Sequence, residues 1–571
     1  MSITDDLLDH IRMAPEDDAA RLAIANALEG RGDPYGEYIR LQVGLASNPE
    51  ADDRAAMIDR VTELHRAHAA AWTAHLTPWF LNWSFARGFV DRVVLDAAVA
   101  PHVPAGLLDR TPVREVVVVN GAGRLGELAT APILSRFNSL DFGPPAFAAG
   151  TAELSDDDVI PFFERLPVGI RPSRLNLAEN PVGAAGVTAV ARSPLAAGLT
   201  DLGLDFTAAD VDAIAVTLGG RFPRLRRLGL VGTSLADADA ARLPDAAGTR
   251  LERLDLGSSG LPADALDRLL ALPASASLRD LDLNYLELTD RTFDLLARLA
   301  PSLRALHMCG CNLAGVRLRR LAAAGVLGRL LVLDLSGNRL TDADGPTLIA
   351  AVAAGPLRKL VFTGNDLSAA ALADLCRALP DTLRYIDLSS TPLSAVLSAA
   401  AGCGRRLAAV VANQCGLTDD DVIQFVAARP GTALRFVSAI YNQLTSTGVA
   451  AVLDTPAGRA IECIDLSGNP IRIGLAAALG ATGVRLTELN LSKTRVGTDE
   501  VLALLEHPAL HSLQTLDVRD TAADIRAVQA AVAVRGTNLA AGSAVPFIAA
   551  LRGDVTGPVG QFNTRSASSL T

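Results

Sequence analysis

The chain has 571 residues, half of them hydrophobic but only 4% aromatic, and a formal net charge of −11. A core with so few rings must be built from Leu, Val and Ala, the composition of a repetitive strand-and-helix scaffold. The acidic balance argues against nucleic acid or anionic lipid as partner, and no run reaches the roughly 18 apolar residues of a membrane span.

The chain opens on MSITDDLLDHIRMAPEDD, acidic and amphipathic, without the basic flank and apolar stretch of a secretory leader. The six cysteines fall between Cys309 and Cys463 with no C-x-x-C pair, as suits a reducing compartment. The expectation is a soluble, cytoplasmic protein. Residues 1–80 read as helices throughout: TDDLLDHIRM, EDDAARLAIANALEG, DPYGEYIRLQVGLA and DDRAAMIDRVTELHRAHAAAW each combine amphipathic spacing with a cap. Gly32-Asp33-Pro34 stops one helix and turns into the next. His65 and His68 share a helix with no acid or cysteine at ligand spacing, so an exposed helix face is predicted. Trp72, Trp79 and Trp83 mark the end of this helical segment, where large rings fill an irregular boundary.

Next comes VREVVVVNGAGRLGELATAP, residues Val113 to Pro132, whose Gly121-x-Gly123-x-x-Gly126 after a β-branched run imitates a dinucleotide-binding turn. Asp141, in the following run FNSLDF, even stands where a ribose-binding acid belongs. Pro132 argues against it. Only six residues after Gly126 a dinucleotide-binding helix is still in its interior, where proline costs about 3 kcal/mol. The glycines are expected to make the tight turn between a strand and a short helix.

From residue 225 onward the chain repeats. LRRLGLVGTSL starts at Leu225, LERLDLGSSGL at Leu251, LRDLDLNYLEL at Leu278 and LRALHMCGCNL at Leu303, with further starts at Leu330, Leu357, Leu383, Leu407, Leu434, Ile461, Leu486 and Leu513. The spacing is 24 to 27 residues and the pattern L-x-x-L-x-L-x-x-N-x-L. The same register runs backward through LTDLGLDFTAA, RPSRLNLAENPV, FNSLDF and VREVVVVN to FVDRVVLDA at Phe89, so the glycine motif sits inside the array. The pattern resembles the ribonuclease-inhibitor-like leucine-rich repeat proteins. The resemblance implies an α/β leucine-rich repeat solenoid, a horseshoe with parallel strands on the concave face and helices on the convex face, of about 16 repeats over residues 81–521. Linking segments such as TDADGPTLIAAVAAGP and TDDDVIQFVAARP begin with N-cap residues and early acids, as helices require.

The ninth position of each repeat reads Asn180, Thr207, Thr233, Ser259, Leu286, Cys311, Asn338, Asn365, Thr391, Cys415, Asn442, Asn469, Thr494 and Thr521. Where the chain leaves its strand, backbone groups inside the coil lack partners, and a short polar side chain can supply them in every turn. Cys311 and Cys415 are therefore expected to be ladder residues rather than redox or metal sites, and Leu286 a local irregularity.

An open array needs covers at both ends. Residues Asp17 to Gln42 resemble the bacterial repeat-companion domain found ahead of many leucine-rich repeat proteins, through Arg21-Leu22, Ala25, Leu28-Glu29, Arg31-Gly32-Asp33-Pro34, Gly36-Glu37 and Ile39-Arg40-Leu41-Gln42. The sequence departs from that family at Ile24, Asn26 and Ala27. The helical cap is expected to span 1–80, with a C-terminal helical cap over 522–553 and a flexible tail over 554–571 rich in Gly, Ser, Thr and Asn.

No catalytic, cofactor or metal constellation stands out: G-x-S-x-G, Walker and H-E-x-x-H motifs are all missing from the sequence. The array does offer a surface. With leucines facing inward, strand alternation turns the third, fifth and seventh positions to the concave side. The fifth carries an acidic row, Asp255, Asp282, Asp334, Asp387, Asp465 and Asp517, which either attracts a basic partner or reflects consensus and solubility. In mid-array His307, Lys359, Val361, Tyr385, Val411, Phe436 and Ile440 occupy concave positions, with Tyr441 beside them. Such a group is either a protein-binding patch or a set of side chains that irregular strands turn inward. The favoured function is a non-catalytic scaffold binding another protein, not nucleic acid, through this face, with Tyr385, Val411 and Phe436 as anchors. Two alternatives remain: a GTPase activator supplying an arginine such as Arg174 or Arg227, and a self-assembling structural protein.

Overall fold

The computed structural model describes residues 3–541 apart from 15–16, 48–53, 105, 145–152, 244–249, 354, 397–405, 428–433, 480–483, 485, 511, 514 and 536–539. The chain divides into two compact units, the division falling between Leu295 and Leu296.

The first unit begins with four helices, α1 (Ile3–Met13), α2 (Asp18–Glu29), α3 (Pro34–Ser47) and α4 (Arg54–Thr73). Asp17 caps α2 by accepting from the Ala19 N–H at 2.9 Å, and Gly32 takes the left-handed conformation (φ +72°) that the turn into α3 requires. Gly36 lets the two helices close up: a Cβ there would lie 2.5 Å from the Ala25 carbonyl oxygen. Tyr35 and Tyr38 pack against Trp72 with ring centroids 4.6 and 4.9 Å apart. His65 is not on a free helix face as expected. Its Nδ1 lies 3.1 Å from the Tyr38 hydroxyl, its ring meets Phe85 edge-on, and burial pulls its pKa down.

An antiparallel hairpin joins these helices to the repeats. Its strands are β1 (Asn82–Ala86) and β2 (Phe89–Asp96), and its two-residue turn, Arg87–Gly88, has both φ values positive (49° and 91°). The Gly88 N–H donates to Gln42 Oε1 at 2.7 Å, and a Cβ on Gly88 would stand 2.6 Å from the Ile39 Cα. The hairpin thereby seats on α3. From β2 the ladder is parallel: β3 (Glu115–Val119), β4 (Ser139–Asp141), β5 (Arg174–Asn176), β6 (Asp201–Gly203), β7 (Arg227–Gly229), β8 (Arg253–Asp255) and β9 (Asp280–Asp282).

The second unit is built on the same coil, with β10 (Ala305–His307), β11 (Val332–Asp334), β12 (Lys359–Val361), β13 (Tyr385–Asp387), β14 (Ala409–Val411), β15 (Phe436–Ser438), β16 (Cys463–Asp465), β17 (Glu488–Asn490) and β18 (Thr515–Asp517), each parallel to the next. After the helix Ile525–Arg535, Ala540–Ala541 (β19) adds a short strand to β18. The second C-terminal helix expected over Ala544–Gly553, the tail over 554–571 and Cys403 lie outside the described residues. In both units helices or 3₁₀ turns link successive strands, and central strand residues such as Leu175, Leu202, Leu333 and Leu360 are fully buried between the layers. This is the α/β leucine-rich repeat architecture: each coil is too small to bury its own apolar face and shares a core with its neighbours.

The ninth-position ladder is present, and it works in both directions. Asn338 Oδ1 accepts from the Cys311 and Leu313 N–H groups of the preceding coil (3.0 and 3.2 Å), while its Nδ2 donates to the carbonyls of Met308, Leu335 and Ser336. Asn180, Asn365, Asn442 and Asn469 repeat the arrangement, and threonines bond within their own coil, as in Thr391 to the Leu388 carbonyl at 2.6 Å. Cys415 fits here too, its Sγ 3.3 Å from the Leu388 carbonyl. Just before the ladder, the eighth position is left-handed in every coil from Glu179 (φ 59°) to Asp520 (φ 55°). Five of these residues are glycine, but Phe206, Tyr285 and Tyr441 hold the conformation with φ of 54°, 60° and 52°. Because Tyr285 keeps that turn, the irregularity expected at the buried Leu286 is not found there.

The glycine motif belongs to a repeat. Its helix, Leu125–Leu128, is four residues long, and the Gly123 N–H donates to Asp158 Oδ1 at 2.6 Å. A carboxylate of the next coil holds the amide that a nucleotide phosphate would need.

Candidate interaction face

Third, fifth and seventh positions point away from the helices, so they form one face in each unit. The two faces differ in chemistry. On the first unit the third position carries charges of both signs, and ion pairs run across the strands. Arg92 reaches Glu115 (2.9 Å) and Asp141 (3.3 Å), Arg174 lies 3.5 Å from Glu115, Arg227 pairs with Asp201 (2.8 Å), and Arg253 bridges Asp255 (2.8 Å) and Asp280 (3.2 Å). Burial and the neighbouring Glu115 push the Asp141 carboxyl up to about 6. Both arginines named as catalytic candidates are engaged in this ladder.

The acidic fifth position has a structural task that sequence reasoning missed. In coil after coil its carboxylate or amide accepts the backbone N–H two residues on, at the point where the chain leaves the strand. Ser336 donates to Asp334, Ser389 to Asp387, Ser467 to Asp465, Asn284 to Asp282 and Arg519 to Asp517, all within 2.8 to 3.0 Å. Asn176 and Asn490 do the same. These are Asx turns. In three coils whose fifth residue has no side chain that accepts in this way, the preceding coil supplies the acceptor. The Val231 N–H, with Gly229 two residues before it, goes to Asp205 at 2.9 Å; Ile440, after Ser438, goes to Asn413 at 2.8 Å; and Asn413, after Val411, goes to Ser389 Oγ at 3.0 Å. Gly229 makes room for this, since a Cβ there would meet the Asp205 carboxylate at 2.6 Å. Burial, followed by the charge of Asp255, drives the Asp205 carboxyl up to about 7. Asp255 itself is bound by Arg253. The acidic row is thus chiefly a column of turn-closing acceptors, which accounts for the recurring L-D-L-S phrase.

On the second unit the face turns apolar. Tyr385, Ala409, Val411 and Phe436 form one cluster, with Val361 and Cys463 packed against it. Tyr385, Val411 and Phe436 do not protrude as expected: they are 8%, 7% and 5% exposed. Strands stand about 4.8 Å apart, so side chains in one row cover each other's flanks and leave only their tips to solvent. Lys359 Nζ lies 4.4 Å from the Tyr385 ring centroid. His307, Lys359, Val361 and Ile440 are partly exposed, and Tyr441 is 47% exposed at the rim, its ring lying over Gly468 with no room for a Cβ beneath it. The structure therefore brings Val361, Tyr385, Val411 and Phe436 together, with Lys359 against Tyr385.

Glu488 on β17 escaped the sequence reading. It continues the in-register row from Phe436 through Cys463, its carboxylate has no hydrogen-bond or ion-pair partner among the described residues, and burial pushes that carboxyl up to about 7. Taken as a column, like the ninth, the third position shows it as the acid that ends an apolar run.

No protein-family model matches the chain, and no curated protein matches it in sequence. Solved structures similar to it include the leucine-rich repeat-containing protein LegL7 from Legionella pneumophila, 19% identical over 43% of this chain and 85% of that one, with a TM-score of 0.31. The Rad7 and Elc1 complex of yeast is similar at 15% identity, covering 68% of this chain and 84% of the matched one, with a TM-score of 0.42. The TLR13–ssRNA13 complex is similar at 16% identity, covering 73% and 64%, with a TM-score of 0.37. The repeat architecture of the present chain rests on its own coils. Among the described residues, no helix is long and apolar enough to cross a membrane.

Proposed function

We propose that the chain is a non-catalytic, cytoplasmic scaffold that binds a partner protein through the strand face of its second unit. The observation that carries this reading is the apolar cluster of Tyr385, Ala409, Val411 and Phe436, lying where the first unit places ion pairs. A row of rings and aliphatic groups whose tips meet water, with the half-exposed Tyr441 beside it, is the composition of an interface centre. The activating-protein alternative has less support, because Arg174 and Arg227 are held by Glu115 and Asp201.

The test is capture from lysate of the native host with the tagged chain, comparing wild type with Val361→Asp and Tyr441→Ala variants whose circular dichroism is unchanged. Val361 and Tyr441 are the better positions to alter, since Tyr385 and Phe436 are too enclosed to change without unsettling the sheet. Expected is a partner retained by wild type and weakened by about 1 to 3 kcal/mol in the variants. A partner held equally by all three chains removes this face from consideration.

A further inference from the structure

Use of this face as a binding surface leaves the chemistry of the partner open, and the row that ends at Glu488 narrows it. Four acids on the strand face of the second unit are provided for. Asp334 takes the Ser336 N–H; Asp387 takes the Ser389 N–H and hydroxyl and the Thr363 hydroxyl; Asp465 takes the Ser467 N–H and the Asn490 amide. Asp517 takes the Arg519 N–H and guanidinium. Each lies in the fifth position, two residues before the amide it closes. Glu488 lies in the third position, away from the turn amides, and the described residues give it neither donor nor cation. A charged pair on the preceding coils, Glu462 with Arg435 at 3.3 Å, is already closed on itself. Asp465, on the preceding strand, adds negative charge to the same stretch of face, while Asp517 on the following strand is matched by Arg519. On its other side the row passes through Cys463 to Phe436, in register.

A carboxylate left half-covered beside an apolar cluster, with Asp465 on the preceding strand and no cation paired with it among the described residues, is complementary to a cation that carries apolar surface next to it. We propose that Glu488 receives a lysine or arginine side chain of the partner protein, while an apolar side chain of the same segment rests on the Cys463 end of the Tyr385–Phe436 cluster. Two strand spacings separate Phe436 from Glu488, which sets the apolar and cationic groups of the partner roughly 10 Å apart. That span corresponds to about three residues of chain in the polyproline II conformation, whose three-fold repeat puts residues i and i+3 on one face. The inference rests on the proposed use of this face. A protonated Glu488 must lose its proton to pair with the cation, so affinity rises with pH through about 7 and then levels.

The probe is the peptide Ac-Ala-Leu-Ala-Ala-Lys-Ala-amide, titrated calorimetrically into the full-length chain at pH 5.5 and pH 8, with a Lys-to-Glu peptide as control. Expected is millimolar or tighter binding of the lysine peptide alone, strengthened roughly tenfold at the higher pH. In Glu488→Gln that pH dependence disappears and the pH 8 affinity falls by about the same factor. A second variant, Cys463→Arg, sets a cation of the chain's own beside Glu488 and should block the peptide. Absence of lysine-peptide binding, or equal binding of the glutamate peptide, overturns the proposal. If Cys463→Arg blocks binding while Glu488→Gln changes neither affinity nor pH profile, the face is used but the cation assignment is wrong. Unchanged binding by both variants removes the face itself and with it the proposed function.

Discussion

At the scale of single residues, the fold is held by side chains that close backbone groups at each turn. Asn338 illustrates the stakes: its amide serves two N–H groups and three carbonyls and is fully buried. Asn338→Ala would leave those groups unsatisfied, and the expected loss is about 2 to 4 kcal/mol, read from the urea midpoint together with faster amide exchange at Cys311 and Leu313. Asp205 presents the opposite case. Its folded pKa of about 7 lies above the ordinary 3.8, so the folded state holds the proton to higher pH than the unfolded chain does. The associated stability is present below about pH 4 and is lost as pH rises through 7. Asp205→Asn keeps an oxygen for the Val231 N–H and removes the ionisation. Unfolding measured at pH 5 and pH 8 should show the variant gaining on wild type at the higher pH, by up to roughly 3 kcal/mol. A gain confined to pH 5 would refute this account.

Between elements, glycines set how closely the pieces approach. The hairpin turn at Gly88 lies against Ile39 of α3 with no room for a methyl group, and its φ of +91° disfavours any side chain. Gly88→Ala is expected to cost about 2 to 4 kcal/mol, and hydrogen exchange should rise first in α3 and β2, where the helices meet the repeats. Gly468→Ala should drive the Tyr441 ring off its seat. The prediction is a smaller loss, about 1 to 2 kcal/mol, accompanied by a more exposed Tyr441 in solvent-quenching measurements. The left-handed aromatics make the same point from sequence: Phe206 and Tyr441 are each followed one coil later by a glycine, Gly232 and Gly468, that accepts the ring.

At the scale of the molecule, one coil pattern carries two surfaces. The first unit sets arginine–carboxylate pairs on its strand face, and the second sets an apolar cluster of rings and valines there. The coil geometry is the same in both, so the repeat tolerates either chemistry on this face. Contacts in a repeat array are between neighbours, so the Asn338→Ala effect should fade along the stack, with exchange in the coils around Leu489 and Leu516 unchanged.

The repeat spacing, the inward leucines and the polar ninth position were all legible in the chain, because each coil must solve the same packing and hydrogen-bonding problem with residues at fixed offsets. So was the rejection of the glycine motif, which Pro132 already opposed. The tasks of the third and fifth positions were not. Whether Asp334 faces solvent or closes a turn depends on where the amide of Ser336 points, and that is decided by how the chain leaves its strand. Whether Tyr385 and Phe436 stand out as anchors or cover each other depends on strands brought side by side from about 26 residues apart in sequence. The His65–Tyr38 contact and the isolation of Glu488 likewise arise between elements. Local offsets determined the coil; only the stacking of one coil on the next decided which side chains were used up in building it and which kept their tips in solvent.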